Sequence, residues 1–315
     1  MQFAMLFPGQ GSQAVGMGAD LFESERVARE TFEEADTLLD LPLRRMCFEG
    51  PLEALTETRN AQPALLVHSI AVLRVLERLG ARPAVVAGHS LGEYSALVAA
   101  GSLSFADAVR TVRRRGELMF QSGLQNPGAM AAVVGLGVDA VEEVCARVRK
   151  VGVCDVANHN APDQLVISGA VAAIEAAMPL LASAGARVVK RLNVSGAFHS
   201  QLMREPAEEL ARSLDEVAFA DARIPVVANV SGCAEQNGER LRDLAKQQIA
   251  SPVRWTDSMQ SLCAVWNGTV LEVGAGSVLR GLLRRIERGV TCVAVGDRDG
   301  LDSIKNRYLE QAQAE

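Results

Sequence analysis

The first residues that indicate chemistry form a short Gly-x-Ser-x-Gly motif at positions 88–92, which reads Gly-His-Ser-Leu-Gly. The motif follows an apolar run at 84–87 that is typical of a strand and precedes a helical pattern at 93–100. Glycines at these places let a strand turn sharply into a helix, which leaves the serine hydroxyl exposed at the helix N-terminus. Backbone N–H groups there can stabilise an oxyanion. Ser90 is therefore a candidate nucleophile for acyl chemistry, the alternative being a tight turn whose serine caps the helix.

A serine nucleophile needs a base, and the candidates are the chain's four histidines. His68 lies within an apolar helical pattern, which favours a structural role, and His89 adjoins the serine at a turn, where neighbouring side chains point apart. His159 lies in a predicted loop of the small lobe and stays possible. His199 follows small residues at 195–197 and immediately precedes a predicted helix. We predict His199 as the base, against the alternative of a helix-capping or surface histidine, and the sequence itself names no triad carboxylate.

One arginine is predicted to face the interior. In the helical pattern 105–121, Arg115 lies three residues after Val112 and four before Met119, on the apolar stripe, and Gly116 beside it permits close backbone approach. A buried guanidinium needs an anion. The partner is either an internal carboxylate or a substrate carboxylate held by two parallel hydrogen bonds.

These residues require a scaffold of alternating strands and helices, which the sequence pattern provides. Strands are predicted at 3–7, 84–87, 130–134, 154–157, 164–168, 188–190, 225–230, 269–273 and 291–295, and the main helices at 60–79, 105–121, 138–150, 171–184, 201–214, 239–249 and 277–285. This alternation predicts an α/β fold with a mainly parallel sheet.

The middle of the chain has shorter elements in the order strand, helix, strand, strand, helix, strand, which is typical of a ferredoxin-like βαββαβ lobe. We predict an α/β-hydrolase-like large domain that holds this lobe as an insertion, entered through 124–128 and left through 195–197. The predicted bounds are 1–125 and 197–315 for the large domain and 126–196 for the small subdomain.

Composition narrows the class of protein. The chain has 315 residues, of which 49% are apolar and 22% charged, and this is the balance of a globular protein. The net charge of -6 argues against a general nucleic-acid binder. Local basic clusters at 113–115, 187–191 and 280–288 could still meet phosphates or an acidic partner protein.

Sequence features also predict where the protein works. The longest apolar stretch, 61–79, is interrupted by polar and charged residues, so no membrane span is expected. The apolar run at 3–7 is too short for a signal peptide and is better interpreted as a first strand, so the mature protein is expected to start here. No Cys-x-x-Cys pair occurs, and we expect reduced thiols, a cytoplasmic location and a monomer. The six cysteines are Cys47, Cys145, Cys154, Cys233, Cys263 and Cys292.

Two glycine-rich turns, at 9–11 and 274–276, follow predicted strands but do not indicate a nucleotide site. Neither continues as Gly-x-Gly-x-x-Gly, and neither carries the lysine of a P-loop. No metal-ligand spacing is present either. No cofactor or metal is therefore expected.

Taken together, six motifs resemble those of malonyl-CoA:acyl carrier protein transacylases, in order and over nearly the whole chain. They are 7–13 (Phe-Pro-Gly-Gln-Gly-Ser-Gln), 62–64 (Gln-Pro-Ala), 88–93 (Gly-His-Ser-Leu-Gly-Glu), 115–116 (Arg-Gly), 196–199 (Gly-Ala-Phe-His) and 251–255 (Ser-Pro-Val-Arg-Trp). The resemblance implies a ping-pong reaction in which Ser90 takes malonyl from malonyl-CoA, a substrate, and passes it to the phosphopantetheine thiol of an acyl carrier protein. His199 would be general acid and base, and Arg115 would bind the malonyl carboxylate.

The resemblance also implies supporting roles. The backbone N–H groups of Gln10 and Leu91 would form the oxyanion hole, and Gln248 would orient the histidine through its carbonyl, giving a dyad without an acidic member. Phe198 matches a position where related polyketide acyltransferases carry phenylalanine for malonyl and serine for methylmalonyl. A ring there leaves little room for a methyl branch, although a pocket discriminates one methyl group by only ~1–3 kcal/mol.

Two other functions compete with the transferase. A hydrolase would let water take the acyl group from Ser90, and only the acceptor distinguishes the two reactions. A catalytically silent subunit could instead dock carrier proteins in a larger assembly, but the intact set of Ser90, His199 and Arg115 argues against it.

Overall fold

The architecture comes from a computed structural model, which describes residues 1–194 and 196–309. The strands within these ranges are β1 (Gln2–Phe7), β2 (Arg82–Gly88), β3 (Gly128–Val134), β4 (Cys154–Ala161), β5 (Gln164–Ala170), β6 (Val188–Arg191), β7 (Val226–Val227), β8 (Ala234–Glu235), β9 (Val270–Val273) and β10 (Cys292–Val295). The helices are α1 (Ala19–Ser24), α2 (Arg26–Leu39), α3 (Leu43–Glu49), α4 (Leu52–Thr56), α5 (Thr58–Arg78), α6 (Gly92–Ala99), α7 (Phe105–Gln125), α8 (Val138–Val148), α9 (Val171–Ser183), α10 (Arg204–Asp215), α11 (Gly238–Gln248), α12 (Trp255–Val265), α13 (Val278–Ile286) and α14 (Arg298–Ile304).

The larger sheet has six strands in the order β10-β9-β1-β2-β7-β8. Every neighbouring pair is parallel except the last, in which β7 and β8 are antiparallel. The prediction of an α/β fold with a mainly parallel sheet is confirmed. Because parallel strands point the same way, the turns after β1, β2, β7 and β9 all leave the sheet at one edge, where α/β folds place their ligands.

Both faces of the central strand β1 are covered, which explains why its residues from Phe3 to Phe7 are continuously apolar. Along β1, Phe3, Met5 and Phe7 pack into the core on the side of α5, while Ala4 and Leu6 pack into a second core with side chains of α12 and α13. Successive side chains of a strand point to opposite faces, so one strand contributes to both cores. The sheet is therefore fixed from two sides.

A second sheet has four antiparallel strands in the order β4-β5-β3-β6. Its inner face packs with α8 and α9 around a separate core that includes Val133, Val144, Ile167 and Ile174. The predicted order of elements, βαββαβ, is found from β3 to β6. The predicted domain bounds stay a prediction, and Ser195, in the predicted return segment, lies outside the described residues.

Several local predictions were wrong. Residues 158–160, predicted as a loop, belong to β4, which pairs with β5 in an irregular register. The entry segment 124–128 is mostly regular, because α7 continues to Gln125 and β3 begins at Gly128. The helix predicted at 201–214, by contrast, is found, with a first turn in 3₁₀ geometry at Gln201–Met203 that leads directly into α10.

The helices α1 to α4, α12 and α14 were not predicted. Three of them, α1, α3 and α4, have only five to seven residues, which is too short to show a helical period in the sequence. In the described ranges, no helix combines the length and the apolar character that crossing a membrane requires. All six cysteines are free thiols, and the Sγ atoms of Cys145 and Cys154 lie 3.4 Å apart in the core of the second sheet.

Candidate active site

Ser90 lies on the tight turn between β2, which ends at Gly88, and α6, which starts at Gly92. Its φ of 51° is left-handed, a conformation that is uncommon for a residue with a side chain. The flanking positions must be glycines because neither has room for a Cβ atom. A Cβ on Gly88 would lie 1.9 Å from the carbonyl of Gly92, and a Cβ on Gly92 would lie 2.1 Å from the oxygen of Phe7. The surrounding backbone therefore forces the turn that presents the hydroxyl, as the sequence motif predicts.

His199 is brought to this hydroxyl from a position 109 residues away, and its Nε2 lies 2.7 Å from Ser90 Oγ. The other ring nitrogen, Nδ1, lies 3.0 Å from the carbonyl oxygens of both Gln248 and Ser251. Because carbonyl oxygens only accept, Nδ1 carries the proton, and Nε2 is left to accept from the serine hydroxyl. The backbone N–H of His199 donates to Ile249 O at 3.1 Å. The end of α11 thus fixes both the tautomer and the position of the imidazole.

His199 is 4% exposed, and its backbone is also left-handed, with φ 57°. Burial, together with the nearby positive charge of Arg115, lowers the pKa of His199 from 6.5 to about 3. The imidazole is therefore neutral in the free enzyme, which is the form that accepts a proton.

Arg115 is 1% exposed and points into the same site from α7. Its Nη2 donates to Ser90 Oγ at 3.1 Å and to Gln248 Oε1 at 3.0 Å, and its Nη1 donates to Gln62 Oε1 at 2.7 Å. The buried Nε has no hydrogen-bond partner. Within residues 1–194 and 196–309, no carboxylate lies within 4.0 Å of the guanidinium. The internal ion pair considered from the sequence is absent there, and the guanidinium keeps donor capacity for a substrate carboxylate.

The side chains of Ser90, His199 and Arg115 line one cavity of about 140 Å³. Three of the four residues given supporting roles by the resemblance, Gln10, Leu91 and Phe198, line the same cavity. Its volume is well below the ~300 Å³ at which pockets for drug-sized ligands begin, so it suits a small acyl group.

The supporting residues have defined surroundings. The side chain of Gln10 donates to Thr58 Oγ1 at 3.0 Å, and Phe198 is 6% exposed beside the dyad. Leu91 directly precedes α6, where backbone N–H groups point out of the helix end. The roles of Gln10, Leu91 and Phe198 stay predictions.

The other three histidines are held by other partners, although His89 also lines the cavity. His89 Nε2 lies 2.8 Å from Asn160 Oδ1, and its ring packs edge-on against Trp255 at 5.2 Å. His68 Nε2 donates to Gly296 O at 2.8 Å, as a packed structural histidine would. His159 lies half-buried on β4, where its backbone N–H bonds Val253. Of the four histidines, only His199 has a ring nitrogen within hydrogen-bond distance of Ser90 Oγ.

Two polar residues that the sequence did not single out lie directly behind Ser90. Asn229 Oδ1 accepts from Ser90 N at 2.7 Å, and Glu93 Oε2 accepts from Asn229 N at 2.7 Å. Burial raises the pKa of Glu93 to about 7. A glutamate three residues after a nucleophile and an asparagine near the end of the predicted apolar strand 225–230 were the available signals.

The lowered pKa of His199 gives a pH prediction. An imidazole acts as base only when it is neutral, so a pKa near 3 instead of 6.5 moves its acid limb to lower pH. We expect the rate of Ser90 acylation to show no limb from His199 between about pH 5 and pH 8. Rapid quenching and intact-protein mass spectrometry measure this rate at substrate concentrations well below KM.

Glu93 titrates in the same range and needs its own control. The Glu93→Gln variant has no carboxyl to titrate at this position. An acid limb with a midpoint near 6.5 that persists in this variant would contradict the neutral imidazole.

Comparison of the sequence with known proteins finds acyl transferases that match nearly the whole chain. The family model described as "Acyl transferase domain" matches residues 4–312. The Bacillus subtilis malonyl CoA-acyl carrier protein transacylase is 45% identical over 302 residues, covering 96% of this chain and 95% of that protein. The Escherichia coli K12 protein of the same name is 42% identical over 297 residues, covering 94% and 96%.

Solved structures give the same result. An acyl carrier protein S-malonyltransferase from Vibrio cholerae has a TM-score of 0.93 at 44% identity, covering 96% of this chain and all of that one. A malonyl-transacylase solved in complex with a type II polyketide acyl-carrier protein has a TM-score of 0.94 at 39% identity, covering 97% and 99%. Because the family model and these relatives each span nearly the whole chain, the chain belongs to the acyl transferase domain family.

Proposed function

We propose that this chain transfers malonyl from malonyl-CoA to the phosphopantetheine thiol of an acyl carrier protein, through a malonyl ester on Ser90. One observation carries the proposal. A base and a carboxylate receptor meet at a single hydroxyl, because Ser90 Oγ lies 2.7 Å from His199 Nε2 and 3.1 Å from Arg115 Nη2. The names of the relatives support the same substrate and acceptor.

In the first half-reaction, Ser90 Oγ attacks the thioester carbonyl while its proton passes to His199 Nε2. The carbonyl oxygen becomes an oxyanion, and the backbone N–H groups of Gln10 and Leu91 stabilise it. When the carbon–sulfur bond breaks, the imidazolium returns the proton to the departing thiolate of coenzyme A. The malonyl group is then an ester of Ser90.

The second half-reaction runs the same steps with another thiol. The carrier's pantetheine thiol gives its proton to His199, and the sulfur attacks the ester carbonyl of Ser90. The tetrahedral intermediate collapses, the carbon–oxygen bond breaks, and the serine recovers its proton from the imidazolium. One base thus serves both directions, which is what a ping-pong transfer requires.

Arg115 couples substrate choice to this proton transfer. Its charge is one of the causes that lower the pKa of His199. A malonyl carboxylate bound to the guanidinium offsets that charge, so the pKa of His199 rises and the imidazole becomes a stronger base when the correct substrate is present. Phe198 lies at the same cavity and limits branching at the α-carbon.

The proposal also covers cofactors, oligomeric state, location and binding partners. The reaction uses coenzyme A thioester as a substrate and needs no cofactor or metal. We propose a monomer in the cytoplasm that binds carrier protein and neither nucleic acid nor membrane, in keeping with a net charge of -6.

The acceptor separates the transferase from a hydrolase. The enzyme is mixed with malonyl-CoA and then with carrier proteins of fatty-acid synthesis, of a polyketide line or of a malonate decarboxylase, each in its phosphopantetheinylated form. We expect the malonyl-enzyme to persist without carrier and to be discharged rapidly when one of them is added. Cleavage by water that is as fast without carrier as with it would overturn the proposal.

A further inference from the structure

Asn229 continues the large sheet with its side chain instead of its backbone. β7 pairs in parallel with β2, the last pair being Val227 opposite Ala87, and there the backbone ladder ends. Asn229, which is fully buried, then donates from Nδ2 to Gly88 O at 2.7 Å and accepts at Oδ1 from Ser90 N at 2.7 Å.

These two bonds have the pattern of one further rung. In a parallel ladder, the N–H and C=O of one residue bond the residues before and after the residue opposite. Gly88 and Ser90 are the residues before and after His89. The side-chain amide of Asn229 therefore takes the place of a strand peptide opposite His89, at the point where β2 leaves the sheet.

This rung fixes the conformation of the nucleophile. A residue with a side chain in the left-handed region is strained and persists only where its surroundings hold it. Ser90 has φ 51°, and its N–H bonds Asn229 while its carbonyl accepts from Gln248 Nε2 at 2.9 Å. Both backbone polar groups of Ser90 are thus held by buried side-chain amides, which come from two different segments.

Glu93 fixes Asn229 in turn. It is 2% exposed, lies on the first turn of α6, and accepts from Asn229 N at 2.7 Å. In the described part of the chain, no cation lies within 4.0 Å of its carboxylate, and the charge of Arg115 acts on it only from a greater distance. Glu93 therefore ties the helix after the turn to the end of β7.

We propose that Asn229 and Glu93 are positioning residues for the Ser90 nucleophile, holding its backbone so that Oγ meets His199. They act through Ser90 and touch no reacting atom. The inference rests on the proposed function, since it assigns residues that support the same hydroxyl.

The expected effect is a loss of rate without a matching loss of substrate binding. In Asn229→Ala, the rate constant of Ser90 acylation at saturating malonyl-CoA should fall by about 10²-fold, as for a nucleophile displaced by about 1 Å. KM for malonyl-CoA should stay within about 3-fold, because Arg115 is untouched. Glu93→Ala should show the same loss of rate, because it removes the acceptor that holds Asn229 N. Glu93→Gln keeps an oxygen that accepts from Asn229 N, so its rate should stay within about 5-fold of the original.

Glu272 supplies a matched control. It is also a fully buried glutamate, and its carboxylate accepts from the backbone N–H groups of Leu279 and Arg280 at the start of α13. Glu272→Ala should lower the free energy of unfolding, measured in urea, about as much as Glu93→Ala does. It should leave the acylation rate of the folded enzyme unchanged.

Each variant is measured twice, by malonylation of Ser90 and by sulfonylation of Ser90 with phenylmethanesulfonyl fluoride. The second reaction reports the position of the nucleophile without malonyl-CoA. If the unaltered enzyme is sulfonylated but not malonylated, the proposed function fails while the sulfonylation rates still test the positioning role.

Unchanged rates in Asn229→Ala and Glu93→Ala, or an equal loss in Glu272→Ala, would overturn the inference. Should Asn229→Ala not fold, Asn229→Leu gives the same comparison, because it nearly keeps the side-chain volume and loses both the acceptor for Ser90 N and the donor to Gly88 O. A normal rate in that variant together with a normal rate in Glu93→Ala counts against the proposal.

Discussion

Replacement of Ser90 by alanine is expected to remove the malonyl-enzyme completely and to lower malonyl transfer by about 10⁴-fold or more. The hydroxyl at this position is the atom on which His199 Nε2 and Arg115 Nη2 converge, at 2.7 Å and 3.1 Å. Alanine keeps the Cβ and the backbone bonds of the turn, so the fold should survive. Intact-protein mass spectrometry after mixing with malonyl-CoA detects the adduct, and a carrier-protein assay gives the rate.

Ser95→Ala is the control for this experiment. Ser95 is a buried serine on α6, five residues after the nucleophile, and it is not among the residues that line the cavity. It should retain both the adduct and the transfer rate. A malonyl adduct on Ser90→Ala would mean that another side chain is the nucleophile, and the proposed mechanism would have to be abandoned.

The sequence was sufficient to predict those parts of the site that depend on a local motif or on the periodicity of one helix. The glycines around Ser90 predict the elbow because a Cβ at either place would collide with backbone, at Gly88 with the turn itself and at Gly92 with the end of β1. The inward position of Arg115 followed from its spacing to Val112 and Met119 on one helix. Periodicity of this kind survives in the structure because α7 is a long amphipathic helix.

Contacts between distant segments could not be predicted in this way. Asn229 lies 139 residues from Ser90, and its role depends on which strand neighbours β2. Residues 225–230 were predicted as one strand, but only Val226 and Val227 pair, since the side chain of Asn229 replaces the next rung. A hydrophobic pattern predicts that a segment is extended and does not show where side chains take over from the backbone.

The anion that Arg115 binds could be predicted from the sequence only in part. The helix pattern predicted burial, yet it could not distinguish an internal carboxylate from a substrate carboxylate. The structure narrows the choice, because the neighbours of the guanidinium are the side-chain oxygens of Gln62, Gln248 and Ser90, which carry no charge. With neutral acceptors as its direct partners, and with Glu93 acting on it only from beyond 4.0 Å, the buried guanidinium is poised for an incoming anion.

Arg115→Ala is therefore expected to lower kcat/KM for malonyl-CoA by about 10³-fold, which corresponds to the ~3–5 kcal/mol lost when one partner of a buried charge pair is removed. Acetyl-CoA has no carboxylate to place on the guanidinium. Its transfer should fall by no more than about 10-fold, through the lost contact to Ser90 Oγ. The measured quantity is the ratio of kcat/KM for malonyl-CoA to that for acetyl-CoA, in the original enzyme and in the variant.

Arg114→Ala is the matched control, because Arg114 is the adjacent residue of α7 and pairs at the surface with Glu209. It removes the same side chain from the same helix and should leave the ratio unchanged. A fall that is equal for malonyl and acetyl in Arg115→Ala would mean that the guanidinium only supports Gln62 and Gln248. A fall confined to malonyl would assign the carboxylate to Arg115, because a structural loss at this position has no reason to distinguish two acyl groups that meet the same serine and the same base.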